Sequence, residues 1–207
     1  MRRQAQRGFT LIELILALTI IAVMLAILLG GLRAGLRAWQ RGEERAQTLE
    51  YGRSMSQLLG QTLGGAYPFQ GKINKNDAQP QILFQGEEEK VSFVTVSPPF
   101  PFPVPIAFTA ITLSMDTGAA PGLAIREKVL PNFDPFEPAT PKVVDPTVVA
   151  IRFRYLREQE GGSWETAWSG ADERALPRAV EVTLTASVNG RREERPPITI
   201  PIRVTAR

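Results

Sequence analysis

The chain has 207 residues, 43% hydrophobic and 22% charged, with a formal charge of +3. It contains no cysteine and no histidine, which removes disulfides, thiolate metal sites, cysteine nucleophiles, the commonest general base and the commonest transition-metal ligand. Arg2, Arg3 and Arg7 are the only charged residues among the first eight, so the rest is formally neutral and lacks the net positive charge expected of a nucleic-acid binder.

Residues 9–32 read FTLIELILALTIIAVMLAILLGGL, with Glu13 as the one charge. As a helix this run spans roughly 36 Å, enough to cross a bilayer core of about 30 Å. A secretory signal has a shorter apolar stretch, about 7–15 residues, followed by a small-x-small cleavage site, and neither feature is present. The pattern therefore predicts a transmembrane helix over 9–32. An acid in such a segment is costly and has a partner. If the chain were cut after Gly8, Phe9 would acquire a free α-amino group one helical turn from Glu13. That cation can neutralise Glu13 in the same chain, or meet Glu13 of a neighbouring chain, in a low dielectric.

The string RGFTLIE ahead of an apolar helix resembles the N-terminal methylation motif of type IV pilins and type II secretion pseudopilins. The resemblance implies that a membrane-embedded aspartyl peptidase, the prepilin peptidase, cuts after the glycine and methylates the new N-terminal phenylalanine. On this chain, residues 1–8 become a cleaved leader ending at Gly8. Phe9 becomes mature residue one and the N-methylation site, and Glu13 the helix glutamate used in assembly. Arg2, Arg3 and Arg7 favour a cytoplasmic N-terminus, but Arg33, Arg37, Arg41 and Arg45 follow the span on its other side. The arginine count does not decide the orientation; the resemblance, which puts processing at the cytoplasmic face, does.

Helical spacing continues through Leu32, Leu36, Trp39, Ala46, Leu49, Met55, Leu58, Leu59 and Leu63, and predicts a soluble half of the spine over 33–65. Gly64-Gly65 and then Pro68 end it. The four arginines recur at i,i+4 steps. They form either a solvated helix face or a contact with acidic groups of neighbouring subunits or lipid headgroups. Gly30, Gly31, Gly35 and Gly42 each weaken a helix by up to about 1 kcal/mol. They imply either close helix approach or local melting on assembly.

Over residues 66–207 the apolar period changes to two. Strands are expected at 81–85, 90–96, 107–114, 123–129, 147–156, 179–187 and 198–205, with clear alternation in the last three. Such alternation describes half-buried antiparallel strands. Pro201 suits an edge strand, and Asn189-Gly190 a tight turn. The proline-rich stretches 97–105 and 131–146 read as irregular loops, with Phe100, Phe102, Phe133 and Phe136 pinning them to the core or presenting an apolar surface. The fold class is α+β: a long N-terminal transmembrane and spine helix packed on a C-terminal antiparallel sheet domain.

The segment FQGEEEKVSFVT, with RYL, Gly161-Gly162, Trp164, Trp168 and LPRAVEV further on, is similar to the J-type minor pseudopilins of type II secretion. That resemblance implies a pilin-like fold and a subunit that joins other minor pseudopilins and the major pseudopilin at a filament tip, supporting export of folded proteins. It implies a single-pass protein of the bacterial inner membrane, in contact with its lipid, with a cytoplasmic N-terminus and a periplasmic domain. A minor type IV pilin in adhesion, motility or DNA uptake is the alternative, and a single-span anchored binding domain a second. Trp164 and Trp168 are either core anchors or docking residues. No GxSxG, P-loop or HExxH motif occurs, so neither an enzyme nor a cofactor or metal site is expected. Glu87, Glu88 and Glu89 read as a solvated turn. Glu165, Asp172 and Glu173 are loop carboxylates of the kind that bind calcium, without EF-hand spacing.

Overall fold

The computed structural model describes residues 10–100, 108–118, 121–157, 162–188 and 190–203, except the side chains of 40, 41 and 43–49. Arg2, Arg3, Arg7, Gly8, Phe9, Phe102, Gly161 and Asn189, and the ends 107 and 204–205 of two expected strands, lie outside the described residues. The chain divides into two units, Met1–Arg53 and Ser54–Arg207. One helix, α1 (Leu11–Gly64), runs through both. It continues unbroken through Gly30, Gly31, Gly35 and Gly42, so the glycines are accommodated as helix.

In the first unit, every described α1 side chain from Leu11 to Trp39 is exposed. The segment is long and apolar enough to cross a membrane. Its apolar residues cover the whole circumference, so no orientation of the helix buries them against one protein face.

In the second unit the last turns of α1 are one-sided. Met55, Leu59, Thr62 and Leu63 are buried, whereas Gln57 and Gln61 are exposed. The chain then passes through β1 (Gln70–Gly71), β2 (Gln81–Ile82), β3 (Phe84–Gly86), β4 (Lys90–Thr95), β5 (Thr109–Asp116), β6 (Gly122–Val129), β7 (Val143–Asp145) and β8 (Val148–Leu156). Next come β9 (Trp164–Glu165), β10 (Trp168–Ser169), α2 (Gly170–Glu173), β11 (Ala179–Val188), β12 (Arg191–Glu194) and β13 (Ile198–Pro201). A six-stranded sheet has the order β10-β3-β4-β5-β6-β7, and a five-stranded sheet is built on β12-β11-β8-β9 with β13 also on β11. Every strand pair is antiparallel.

The core lies between the sheets, where β8 packs against β4, β5 and β6. Ile151, Phe153 and Tyr155 alternate inward from β8, and Val180, Val182 and Leu184 from β11. Tyr155 meets Phe84 edge-on, ring centroids 6.0 Å apart, and its hydroxyl donates to the Glu87 carbonyl at 2.9 Å. Gly86 makes this possible, because a Cβ there would lie 2.3 Å from the Tyr155 ring. The Glu87–Glu89 turn is solvated as expected, with exposed side chains. Its backbone also ties the two sheets together, since the Glu88 carbonyl accepts from the Phe153 amide at 2.7 Å.

The expected strands are present with adjusted ends. The expected 81–85 strand divides into β2 and β3 because the Leu83 amide donates to the Phe69 carbonyl at 2.9 Å. There the chain passes from pairing with β1 to pairing with β4. The proline-rich stretch 131–146 is not wholly irregular, since Val143–Asp145 adds to β6 as an edge strand. Pro201 does lie at an edge, as β12 and β13 follow one another along one side of β11.

Candidate functional site

Thr10 and Glu13 form a capping box at the start of α1. The Thr10 amide and hydroxyl both donate to Glu13 Oε2, at 3.2 and 3.1 Å, and the Glu13 amide donates back to Thr10 Oγ1 at 3.4 Å. The T-x-x-E spacing satisfies helix-start donors reciprocally. Glu13 therefore has a local partner in addition to the expected Phe9 amine. Thr10 supplies only neutral hydrogen bonds, so the carboxylate charge still requires a cation in a low dielectric.

At the other end of the apolar run, Arg33, Arg37 and Trp39 are all exposed. Arg37 Nε donates to the Arg33 carbonyl at 3.2 Å, one helical turn back.

The C-terminal end of α1 is stitched to β4. Tyr67 donates its amide to the Val94 carbonyl at 2.8 Å, and Val96 its amide to the Gly65 carbonyl at 3.1 Å. The buried Thr95 hydroxyl donates to the Thr62 carbonyl at 2.9 Å. Gly65 permits this approach, because a Cβ would sit 2.9 Å from Ser97 Cβ.

Several of the remaining candidates are held by contacts within the sheet unit. Trp168 is buried, and its indole donates to the Ala175 carbonyl at 3.0 Å. Trp164 is half-buried under the Arg154 guanidinium, 5.6 Å from the ring centroid. Of the loop phenylalanines, Phe136 (7% exposed) plugs a cluster with Ile73, Leu83, Val94 and Ala110, whereas Phe133 is 73% exposed. The proline-rich loop is also held by Arg126, which donates to the Ala139 carbonyl and to Ser114 while pairing with Asp116.

Glu173 is gripped by both terminal nitrogens of Arg157, whose Nε lies 3.8 Å from Glu165. Pairing with Glu173 holds Arg157 above its ordinary guanidinium range. Arginine thus supplies the cation for two of the three loop acids. Among the described residues, no three or more acids gather as a metal site.

The family model described as the prokaryotic N-terminal methylation motif matches residues 3–29. The model described as type II secretion system (T2SS), protein J, matches residues 30–195. No curated protein matches the chain. The first match implies processing by a prepilin peptidase; the second implies other pseudopilins as partners and an inner-membrane protein. Apolar N-terminal helix, antiparallel sheet domain and both family matches agree: the chain belongs to the T2SS protein J family and is a minor pseudopilin of the type II secretion system.

Proposed function

We propose that the chain is made as a precursor, cut between Gly8 and Phe9 and N-methylated at Phe9. Residues 9–32 then span the inner membrane with the N-terminus cytoplasmic, while residues 33–65 carry the spine outward and residues 66–207 form a periplasmic domain. The mature subunit assembles with other minor pseudopilins and the major pseudopilin at the filament tip, supporting export of folded proteins.

The observation that carries this reading is the uncovered apolar helix. Fifteen large apolar residues from Leu11 to Leu32 are exposed. Each is worth about 1.5–3 kcal/mol when fully withdrawn from water. Lipid, and later the helices of other subunits, supply the withdrawal. Within that span Glu13 keeps its Thr10 cap, and the Phe9 amine of the same or a neighbouring chain supplies the missing charge.

Glu13→Gln separates these two roles, because glutamine retains the capping geometry and loses the charge. The variant is expected to insert and to be processed, yet to co-purify poorly with other pseudopilins. Undiminished co-purification would remove Glu13 from assembly.

A further inference from the structure

Residues 14–42 carry Arg33, Arg37 and Arg41 and no acid. The rise from Leu11 to Arg33 is about 33 Å, close to the bilayer core of about 30 Å. Arg33 therefore falls at the boundary of the hydrocarbon, and Arg37, about 6 Å further along the axis, within the headgroup layer. The two are one turn apart on the same side of α1, and the Arg37 Nε bond to the Arg33 carbonyl folds its side chain back toward the span. Trp39, 76% exposed, adds an amphipathic ring at the depth where tryptophan anchors a helix to the interface. In the proposed orientation, these arginines occupy the end of the span that topology rules leave poor in positive charge. They therefore need a reason other than orientation.

We propose that Arg33 and Arg37, with Trp39 as an interfacial anchor, form a binding surface for anionic phospholipid headgroups at the outer end of the span. Guanidinium groups match phosphate oxygens in a bidentate fork. Their stems cover apolar surface while the heads reach the phosphates. Lipid is favoured over an acidic partner subunit because depth alone places these two residues among phosphates, whereas a protein acid would have to be carried to the same narrow layer. The inference rests on residues 9–32 spanning the membrane.

The test uses the full chain reconstituted in phosphatidylcholine vesicles doped with spin-labelled phosphatidylglycerol or spin-labelled phosphatidylcholine. The motionally restricted fraction of each label is compared. The native chain should select phosphatidylglycerol, and Arg33→Gln/Arg37→Gln should reduce that selection by about fivefold for each arginine removed, leaving only the share of the remaining basic residues. The surface control Arg191→Gln/Arg192→Gln on β12 should keep the selection. Undiminished selection in the Arg33/Arg37 double variant overturns the proposal. So does unchanged lipid selection together with lost capture of another pseudopilin, which would assign the arginines to a protein partner. A chain that fails to float with the vesicles after an alkaline wash refutes the spanning reading itself. One that floats without lipid preference refutes this inference alone.

Discussion

Leu11 and Ile12 of α1 are 77% and 76% exposed, whereas Leu59 and Leu63 of the same helix are fully buried. The residue types match, so the difference lies in arrangement. In the last turns, Met55, Leu59 and Leu63 recur every fourth residue, and the exposed Gln57 and Gln61 lie between them, giving a stripe that one sheet can cover. From Leu11 to Leu32 the apolar residues run all round the helix, and only a solvent of the same character covers every side. One helix thus contains a part that answers to protein packing and a part that answers to lipid. Substitutions in the two parts should separate cleanly.

The largest expected effect lies in the sheet unit. Gly86→Val would drive a side chain into the Tyr155 ring. It should lower sheet stability by about 3 kcal/mol or more, read as a depressed thermal midpoint of the full chain in detergent, with the apolar helix unaffected. An undiminished midpoint would show that the packing between β3 and β8 is not tight.

Ile21→Lys places a charge near the middle of the apolar run. It should cost about 2.5–3.5 kcal/mol of insertion, seen as loss of membrane-associated protein. Sheet unfolding should move by less than about 0.5 kcal/mol. A coupled loss of sheet stability would erase the distinction between the two parts of the helix.

The smallest effect is a dependence on alkaline pH confined to the sheet unit. Burial, with the nearby Glu87 charge, pushes the Tyr155 phenol well above its ordinary value of 10.0. Above that pH the unfolded chain ionises this tyrosine while the folded chain keeps it neutral, so stability is intact below pH 10 and falls as the pH rises beyond it. Tyr155→Phe should lose about 1 kcal/mol with the Glu87 hydrogen bond. It should also flatten the alkaline decline in denaturant titrations. An unchanged slope would mean that other groups set it.

Most of the architecture was legible because it is written in long periodic segments. The alternation of Ile151, Phe153 and Tyr155, and of Val180, Val182 and Leu184, identifies the two central strands of the five-stranded sheet before any contact is seen. Several shorter elements were not legible. β1, β9 and β10 have two residues each and α2 has four, too few to show a period. β12 reads Arg-Arg-Glu-Glu and is wholly exposed, so no apolar pattern marks it. Its one signal was the Asn189-Gly190 turn, where Gly190 takes a positive φ of 75°. Val143 and Val144 were hidden among prolines, and their strand depends on an edge that β6 leaves open.

The functional end divides in the same way. The leader motif was evident from residue types and spacing, whereas the Thr10–Glu13 capping box went unread, although its T-x-x-E spacing is the signal that could have shown it. Which loop phenylalanine pins and which stays exposed was not evident, because Phe133 and Phe136 share composition and context. Tertiary contact with Ile73 and Leu83 chooses Phe136.

The most direct test of the processed, anchored subunit is the N-terminal mass of the chain isolated from its own membranes. The account predicts a chain that begins at N-methylated Phe9. A chain that begins at Met1, or that is cut beyond Leu32, contradicts it.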